Sequence, residues 1–143
     1  MYDPDRGYPK VVPYLLYRDP PAAAEWLSTV LGTREVLRVT GTDATVPHIE
    51  LALGNHIIML GQAGGRFGTV DTITLVFVDN VDSACERVVT AGGAVTMAPQ
   101  DWPWGLRQAL LTDREGQRWL ISHYLRDIAP TEWGAKRTDQ VVG

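Results

Sequence analysis

A chain of 143 residues that is 45% hydrophobic and 21% charged has the size and composition of one globular domain, here 1–143, with a buried core. The 13 Lys and Arg residues are scattered and the net charge is −4, so a nucleic-acid partner is not expected. No apolar run approaches the roughly 20 residues that cross a membrane, and the polar start is not a secretion signal, so we expect a cytoplasmic protein without a membrane partner.

The first half of the chain predicts a strand, a helix and three further strands. The β-forming run 11–17 leads to Asp19, which can cap a helix whose first turn tolerates two prolines and which ends at Gly32. A Gly–Asn pair typical of a two-residue hairpin joins the last two strands. The three strands are predicted at 34–41, 47–54 and 56–62.

After a glycine-rich linker at 63–70, the same order of elements returns. Asp79 and Gly92 are separated by the same number of positions as Asp19 and Gly32, which marks the second helix as a repeat of the first. The second unit is predicted as a strand at 71–78, a helix at 79–93 and strands at 94–99, 106–113 and 117–124.

The repeat predicts an α+β fold of two tandem βαβββ modules, about 10–62 and 71–125, followed by a tail at 126–143. Each module is a short sheet with a helix on one face, so two of them would form a curved mixed-sheet cup with helices on its convex side. The tail is polar but contains Trp133, and it either frays or lies as a flap over the cup.

Two polar residues of the third strand are predicted to face the cup. Alternation along 48–53 places the apolar side chains on the helix side and turns His48 and Glu50 to the other side. A carboxylate in a cavity must be solvated, paired with a positive charge, or used in binding or catalysis. Arg107 is the predicted partner of Glu50, across the cup or across a dimer. A rim position and a ligand contact remain open for both residues, and a carboxylate beside an imidazole can also make a general base.

The other histidines and the single cysteine favour structural roles. His56 follows the tight turn and is expected to be exposed, whereas His123 shares the helix-packed row of Trp119 and Ile121. Cys85 excludes an intramolecular disulfide and is expected to be a small buried apolar residue of the second helix.

Trp102 and Trp104 flank a proline in the loop between the sixth and seventh strands. They could close the cup by stacking on a flat ligand, where an indole gains about 0.5–1.5 kcal/mol beyond its buried area. A subunit contact or a cover for the sheet edge explains them equally well, and both alternatives stay open.

Three stretches together resemble the vicinal oxygen chelate superfamily, which includes glyoxalase I, bleomycin-resistance proteins, fosfomycin-resistance enzymes and extradiol dioxygenases. They are "LLYRDPPAAAEWLSTVLG", "FVDNVDSACERVVTAGG" and "TDREGQRWLI", and their order and spacing carry the resemblance over about 10–125. Arg114 departs from the closing motif, where proline is common. The resemblance implies a homodimer, or an intramolecular pairing of modules, with a ligand cup built from paired βαβββ units.

In the metal-dependent relatives, the resemblance implies four ligands that point into the cup from the first and last strands of each module. Glu50 is on the third strand, so it is not matched to that set. The matching positions here are Val12 or Pro13, Ile58, Thr72 or Ile73, and Leu120. Valine, isoleucine and leucine offer no donor atoms, so no metal and no cofactor is expected.

The sequence favours a metal-free small-molecule-binding protein that sequesters an aromatic or natural-product ligand, as bleomycin-resistance proteins do. The alternative is a lyase or isomerase of the same superfamily, with His48 and Glu50 as acid/base pair, or metal-dependent if these two assemble a site with His56. A third outcome is a cup filled by its own side chains and a protein partner. Ligand contacts are predicted at Tyr14, His48, Glu50, Trp102, Trp104, Arg107, Gln108, Leu120 and Tyr124.

Overall fold

The computed structural model describes residues 7–43 and 45–138, within which the secondary structure repeats as two βαβββ modules. Residues 139–143 of the predicted tail lie outside this range. Module one consists of β1 (Tyr14–Tyr17), α1 (Pro20–Leu31), β2 (Arg34–Val39), β3 (His48–Leu53) and β4 (His56–Gln62). Module two consists of β5 (Ile73–Phe77), α2 (Val81–Thr90), β6 (Ala94–Asp101), β7 (Leu106–Thr112) and β8 (Arg118–Tyr124).

Each module forms one four-stranded mixed sheet. The strand orders are β1-β4-β3-β2 and β5-β8-β7-β6, with β1–β4 and β5–β8 parallel and the other pairs antiparallel. The α+β class and the tandem βαβββ architecture are therefore confirmed. No helix in the described ranges is long and apolar enough to span a membrane.

Both helices begin at a side-chain cap. Asp19 accepts a hydrogen bond from the Ala22 amide at 3.1 Å, and α1 ends at Gly32, whose φ of 74° is left-handed. In α2 the cap is Asn80, one residue beyond the predicted start, and it accepts from the Ser83 amide at 2.9 Å. Capping chemistry thus sets where both helices start.

The first strand is shorter than predicted. It begins at Tyr14 rather than at Val11, because Pro13 has no amide to donate to the parallel partner β4. Pro13 contributes only its carbonyl, which accepts from the Met59 amide at 2.9 Å.

Hydrogen bonds at the turn between β7 and β8 connect module two to module one. The Tyr17 hydroxyl donates to buried Asp113 at 2.6 Å, and burial, with Asp113 beside it, raises the pKa of Tyr17 well above its usual value. The Gln117 amide donates to the Leu16 carbonyl at 3.0 Å. The apolar residues under both sheets form one continuous core, in which α1 packs against α2.

Each sheet packs one face on this core, and the other we call its open face. The open face of module one carries Tyr14, Leu16, His48, Glu50 and Met59. The open face of module two carries Ile73, Leu75, Phe77, Gln108, Leu110, Leu120, Ser122 and Tyr124. On β5 the row of Ile73, Leu75 and Phe77 is 46–52% exposed, an uncovered apolar stripe.

Candidate functional site

A chain of hydrogen bonds crosses the open face of module one. The Tyr14 hydroxyl lies 3.0 Å from Nδ1 of His48, and Nε2 of His48 lies 2.8 Å from Oε2 of Glu50. The Tyr8 hydroxyl donates to the other Glu50 oxygen at 2.8 Å. Glu50 is only 3% exposed, and each of its oxygens has a protein partner, as a buried carboxylate requires.

Gly61 makes room for this arrangement. It lies in β4 between Leu16 of β1 and His48 of β3, and the Tyr14 ring crosses directly over it. A Cβ at Gly61 would overlap Cε1 of that ring and lie 3.0 Å from its hydroxyl. A glycine inside a strand marks such a close approach, and here it lets a residue of β1 reach across β4 to β3.

The Tyr14 side chain lines two cavities. One, of about 290 Å³, is lined by Leu16, Phe67, Val70 and Thr72 besides Tyr14. The other, of about 490 Å³, is lined by Tyr14, Pro47, His48, Gln62 and residues 65–67 of the linker. Phe67 meets the Tyr14 ring edge-on at 5.6 Å, and the Arg66 guanidinium lies over Phe67 at 4.7 Å.

The open face of module two is aromatic and apolar around one polar pair. Phe77 and Tyr124 stack with ring centroids 4.8 Å apart and planes 9° apart, and Leu120 lies beside Leu75 in the register. Gln108 donates to the Ser122 hydroxyl at 2.9 Å, and both side chains are buried.

Trp102 and Trp104 lie in the β6–β7 loop, as predicted, but they stack on one another, 4.9 Å apart and within 6° of parallel. Trp133, in a short 3-10 helix of the tail (Pro130–Trp133), meets Trp104 at 6.0 Å and 61°. The Trp104 indole nitrogen donates to Gln108 at 3.4 Å, whereas that of Trp102 is buried without a partner among the described residues. These contacts already occupy one face of each indole in the pair.

Arg107 lies on the helix side of its sheet, so its predicted place in the cup is wrong. Its guanidinium donates to Asp82 at 2.8 and 2.9 Å and to Asp101 at 2.8 Å, and these bonds raise its pKa. Among the residues that the structure describes, Glu50 is bonded by Tyr8 and His48 instead. Adjacent residues of a strand point to opposite faces, so Arg107 and Gln108 could not share one.

The remaining histidines and the cysteine have structural surroundings. His56 is exposed beside the hairpin turn, and Cys85 is buried in α2, where burial raises the pKa of its thiol. His123 lies on the helix side and its Nδ1 accepts the Val81 amide at 2.9 Å, which satisfies the first amide of α2.

The residues at the relatives' metal-ligand positions do not suit a metal. Ile58 belongs to the core and not to the cup, which corrects its predicted orientation; its neighbour Met59 takes the open-face position. Ile73 and Leu120 occupy the corresponding places in module two. The described ranges contain no group of three or more His, Cys, Asp or Glu that could hold an ion. Glu50 lies on β3, as expected.

The predicted contacts thus fall into two groups on different open faces. Tyr14, His48 and Glu50 come together on module one, and Trp102, Trp104 and Gln108 come together at module two. Leu120 and Tyr124 lie farther along β8 on the same open face as Gln108. Sequence reasoning missed Tyr8, Gly61 and Phe67; only Gly61 carries a signal, a glycine within a strand.

Comparisons with known proteins agree with this fold. The family model described as the glyoxalase/bleomycin resistance protein/dioxygenase superfamily matches residues 11–121. The chain is similar to TioX from Micromonospora sp. ML1, with 35% identity over 80% of this chain and 98% of that one, at a TM-score of 0.70. A search of curated proteins gives no significant match.

Two more distant structures share the fold. TnmS3, an antibiotic binding protein from Streptomyces sp. CB03234, is 21% identical over 79% of this chain and 93% of that one, with a TM-score of 0.64. A lactoylglutathione lyase from Agrobacterium tumefaciens is 19% identical over 80% of this chain and 93% of that one, with a TM-score of 0.62. On the match over 11–121 and the likeness to TioX, the chain belongs to the glyoxalase/bleomycin resistance protein/dioxygenase superfamily.

Proposed function

We propose that this protein is a metal-independent cytoplasmic binding protein that sequesters an aromatic or natural-product ligand, in the manner of drug resistance. The observation that carries the proposal is the pair of open faces, each an apolar and aromatic surface with a few fixed polar groups. Small-molecule sites have this composition. The antibiotic binding described for TnmS3, which shares the fold, supports the same assignment.

A flat aromatic ligand suits these surfaces. The Phe77–Tyr124 stack and the edge of Phe67 offer ring contacts, each of which contributes about 0.5–1.5 kcal/mol beyond buried area. We assign the contacts to Tyr14, His48 and Glu50 on module one and to Trp102, Trp104, Gln108, Leu120 and Tyr124 on module two. Arg107 is left out because it faces α2.

We also propose a homodimer. The stripe of Ile73, Leu75 and Phe77 is about half exposed, and a second copy that covers it would close a cup between open faces. Leu75→Glu should convert a dimer into a monomer, as measured by light scattering and native mass spectrometry. The matched control is Val89→Glu on α2, which is 64% exposed and should leave the dimer intact.

Binding is tested with protein taken directly from cells. Native mass spectrometry should show a co-purifying compound, and planar aromatic compounds should quench tryptophan fluorescence at micromolar concentrations. Tyr124→Ala should weaken binding, whereas Val89→Ala should not. If no planar compound quenches or binds, the proposal fails. Stoichiometric zinc, nickel, manganese or iron in the purified protein would overturn the metal-independent part alone.

The bonds from Tyr14 through His48 to Glu50 favour one second candidate, a metal-free lyase or isomerase. A carboxylate that orients an imidazole beside an open surface is an arrangement that general bases use. In this case His48→Ala abolishes turnover, such as exchange of a ligand C–H proton with deuterated solvent, and leaves binding in place. For a binding protein, His48→Ala changes affinity only.

A further inference from the structure

The direction of the hydrogen bonds on module one determines what Tyr14 can offer to a ligand. An ionised carboxylate only accepts hydrogen bonds, and Glu50 accepts from the Tyr8 hydroxyl on one oxygen. The nitrogen that meets its other oxygen, Nε2 of His48, therefore carries a proton. In a neutral imidazole this leaves Nδ1 as an acceptor.

In this neutral form, Nδ1 of His48, which lies 3.0 Å from the Tyr14 oxygen, accepts a hydrogen bond from the Tyr14 hydroxyl. With its proton committed to His48, the Tyr14 oxygen presents only lone pairs to the surroundings. This contact is the one hydrogen bond of the Tyr14 hydroxyl among the described residues, and Tyr14 is 40% exposed. The oxygen is therefore already oriented, on a side chain that is partly exposed.

Building on the proposed function, we propose that Tyr14 is a fixed hydrogen-bond acceptor that selects aromatic ligands carrying a phenolic O–H or an N–H. The Tyr14 ring lines both cavities of module one, and the edge of Phe67 borders the same space. We expect a flat ring bound in this space to place its substituents near the Tyr14 oxygen.

A ligand that offers only an acceptor is disfavoured by the same bonds. To donate to it, Tyr14 must turn its proton away from His48, which leaves Nδ1 without a partner. The net value of one such hydrogen bond corresponds to a preference on the order of tenfold for the donor-bearing ligand.

The test uses hydroxyarenes of two to four fused rings, such as 2-naphthol, each paired with its methyl ether. The two members share one ring system and differ in the donor. Titration calorimetry should show the hydroxyarene binding about tenfold more tightly than its ether. Tyr14→Phe should bring that ratio close to one, through weaker binding of the hydroxyarene and unchanged binding of the ether.

Gly61→Ala is the second variant, since it keeps the hydroxyl but displaces the ring that carries it. It should also bring the ratio close to one, which separates the position of the oxygen from its mere presence. Equal binding of both members by the wild type, or a ratio that survives Tyr14→Phe, overturns this inference and leaves the proposed function standing. Failure of every pair to bind overturns both.

Discussion

Gly61→Ala is the sharpest test of the geometry on module one. The added Cβ would overlap Cε1 of the Tyr14 ring and lie 3.1 Å from Cζ, where ordinary contact begins at 3.4 Å. The φ of Gly61 is outside the left-handed region, so the backbone itself accepts alanine. The whole effect of the substitution therefore passes through the Tyr14 ring.

The expected loss is about 1–2 kcal/mol of unfolding free energy. Overpacking in a closed core costs about 1–3 kcal/mol, but the Tyr14 ring is 40% exposed and can swing outward. That movement breaks the hydrogen bond to His48, whose net value is about 0.5–1.5 kcal/mol. The Tyr14 ring either stays in place and is overpacked or swings outward and loses the hydrogen bond. The two costs therefore do not add in full.

A double-mutant cycle with Tyr14→Ala, measured by urea unfolding and circular dichroism, isolates the contact. Without the ring, Gly61→Ala should be neutral or stabilising by about 0.5 kcal/mol, since glycine weakens a strand interior. Gly65→Ala is the control, because its Cβ would meet nothing closer than 3.6 Å. An equal cost of Gly61→Ala in both backgrounds would refute the reasoning.

Three further changes probe other parts of the molecule. Tyr17→Phe removes a buried donor to Asp113 and should lower the unfolding free energy by about 1–2 kcal/mol at pH 7. Because the pKa of Tyr17 is raised, this difference in unfolding free energy should shrink as the pH rises above about 10. A difference that stays constant with pH in urea titrations would contradict this. Arg107→Gln should change ligand affinity less than about twofold by calorimetry, since it affects only the helix side, and a tenfold loss would return Arg107 to the site. Trp133→Ala should lower the unfolding free energy by about 0.5–1 kcal/mol and alter the emission of Trp104, whereas an unchanged spectrum would argue against their contact.

The sequence predicted the elements because their signals are local. The run 56–62 is β4 to the residue, and α1 follows directly from a capping aspartate and a left-handed glycine. Alternation along β3 likewise placed His48 and Glu50 on the open side. Each of these signals lies within a few residues of the feature that it predicts.

The wrong or missing predictions concern residues whose position depends on the strand register or on a contact between distant parts of the chain. The sequence prediction placed Ile58 in the cup, whereas the structure places it in the core. An error of one residue in the strand register is enough for this, because neighbouring residues of a strand face opposite ways. The Tyr8 contact with Glu50 joins residues 42 positions apart, and no periodicity in the sequence links them. The contact of Trp133 with Trp104 is likewise not predictable from a local pattern, because it depends on the path of the tail.

The β7–β8 turn makes one cooperative unit out of a duplicated chain. Asp113 accepts hydrogen bonds from Tyr17 of module one and Trp119 of module two, and Gln117 donates to the Leu16 carbonyl. Because α1 and α2 also share a core, neither half can open without exposing the other. Unfolding should be a single transition rather than two. A cut in the linker between the repeats should leave two half-molecules that remain associated and that each lose their structure when separated.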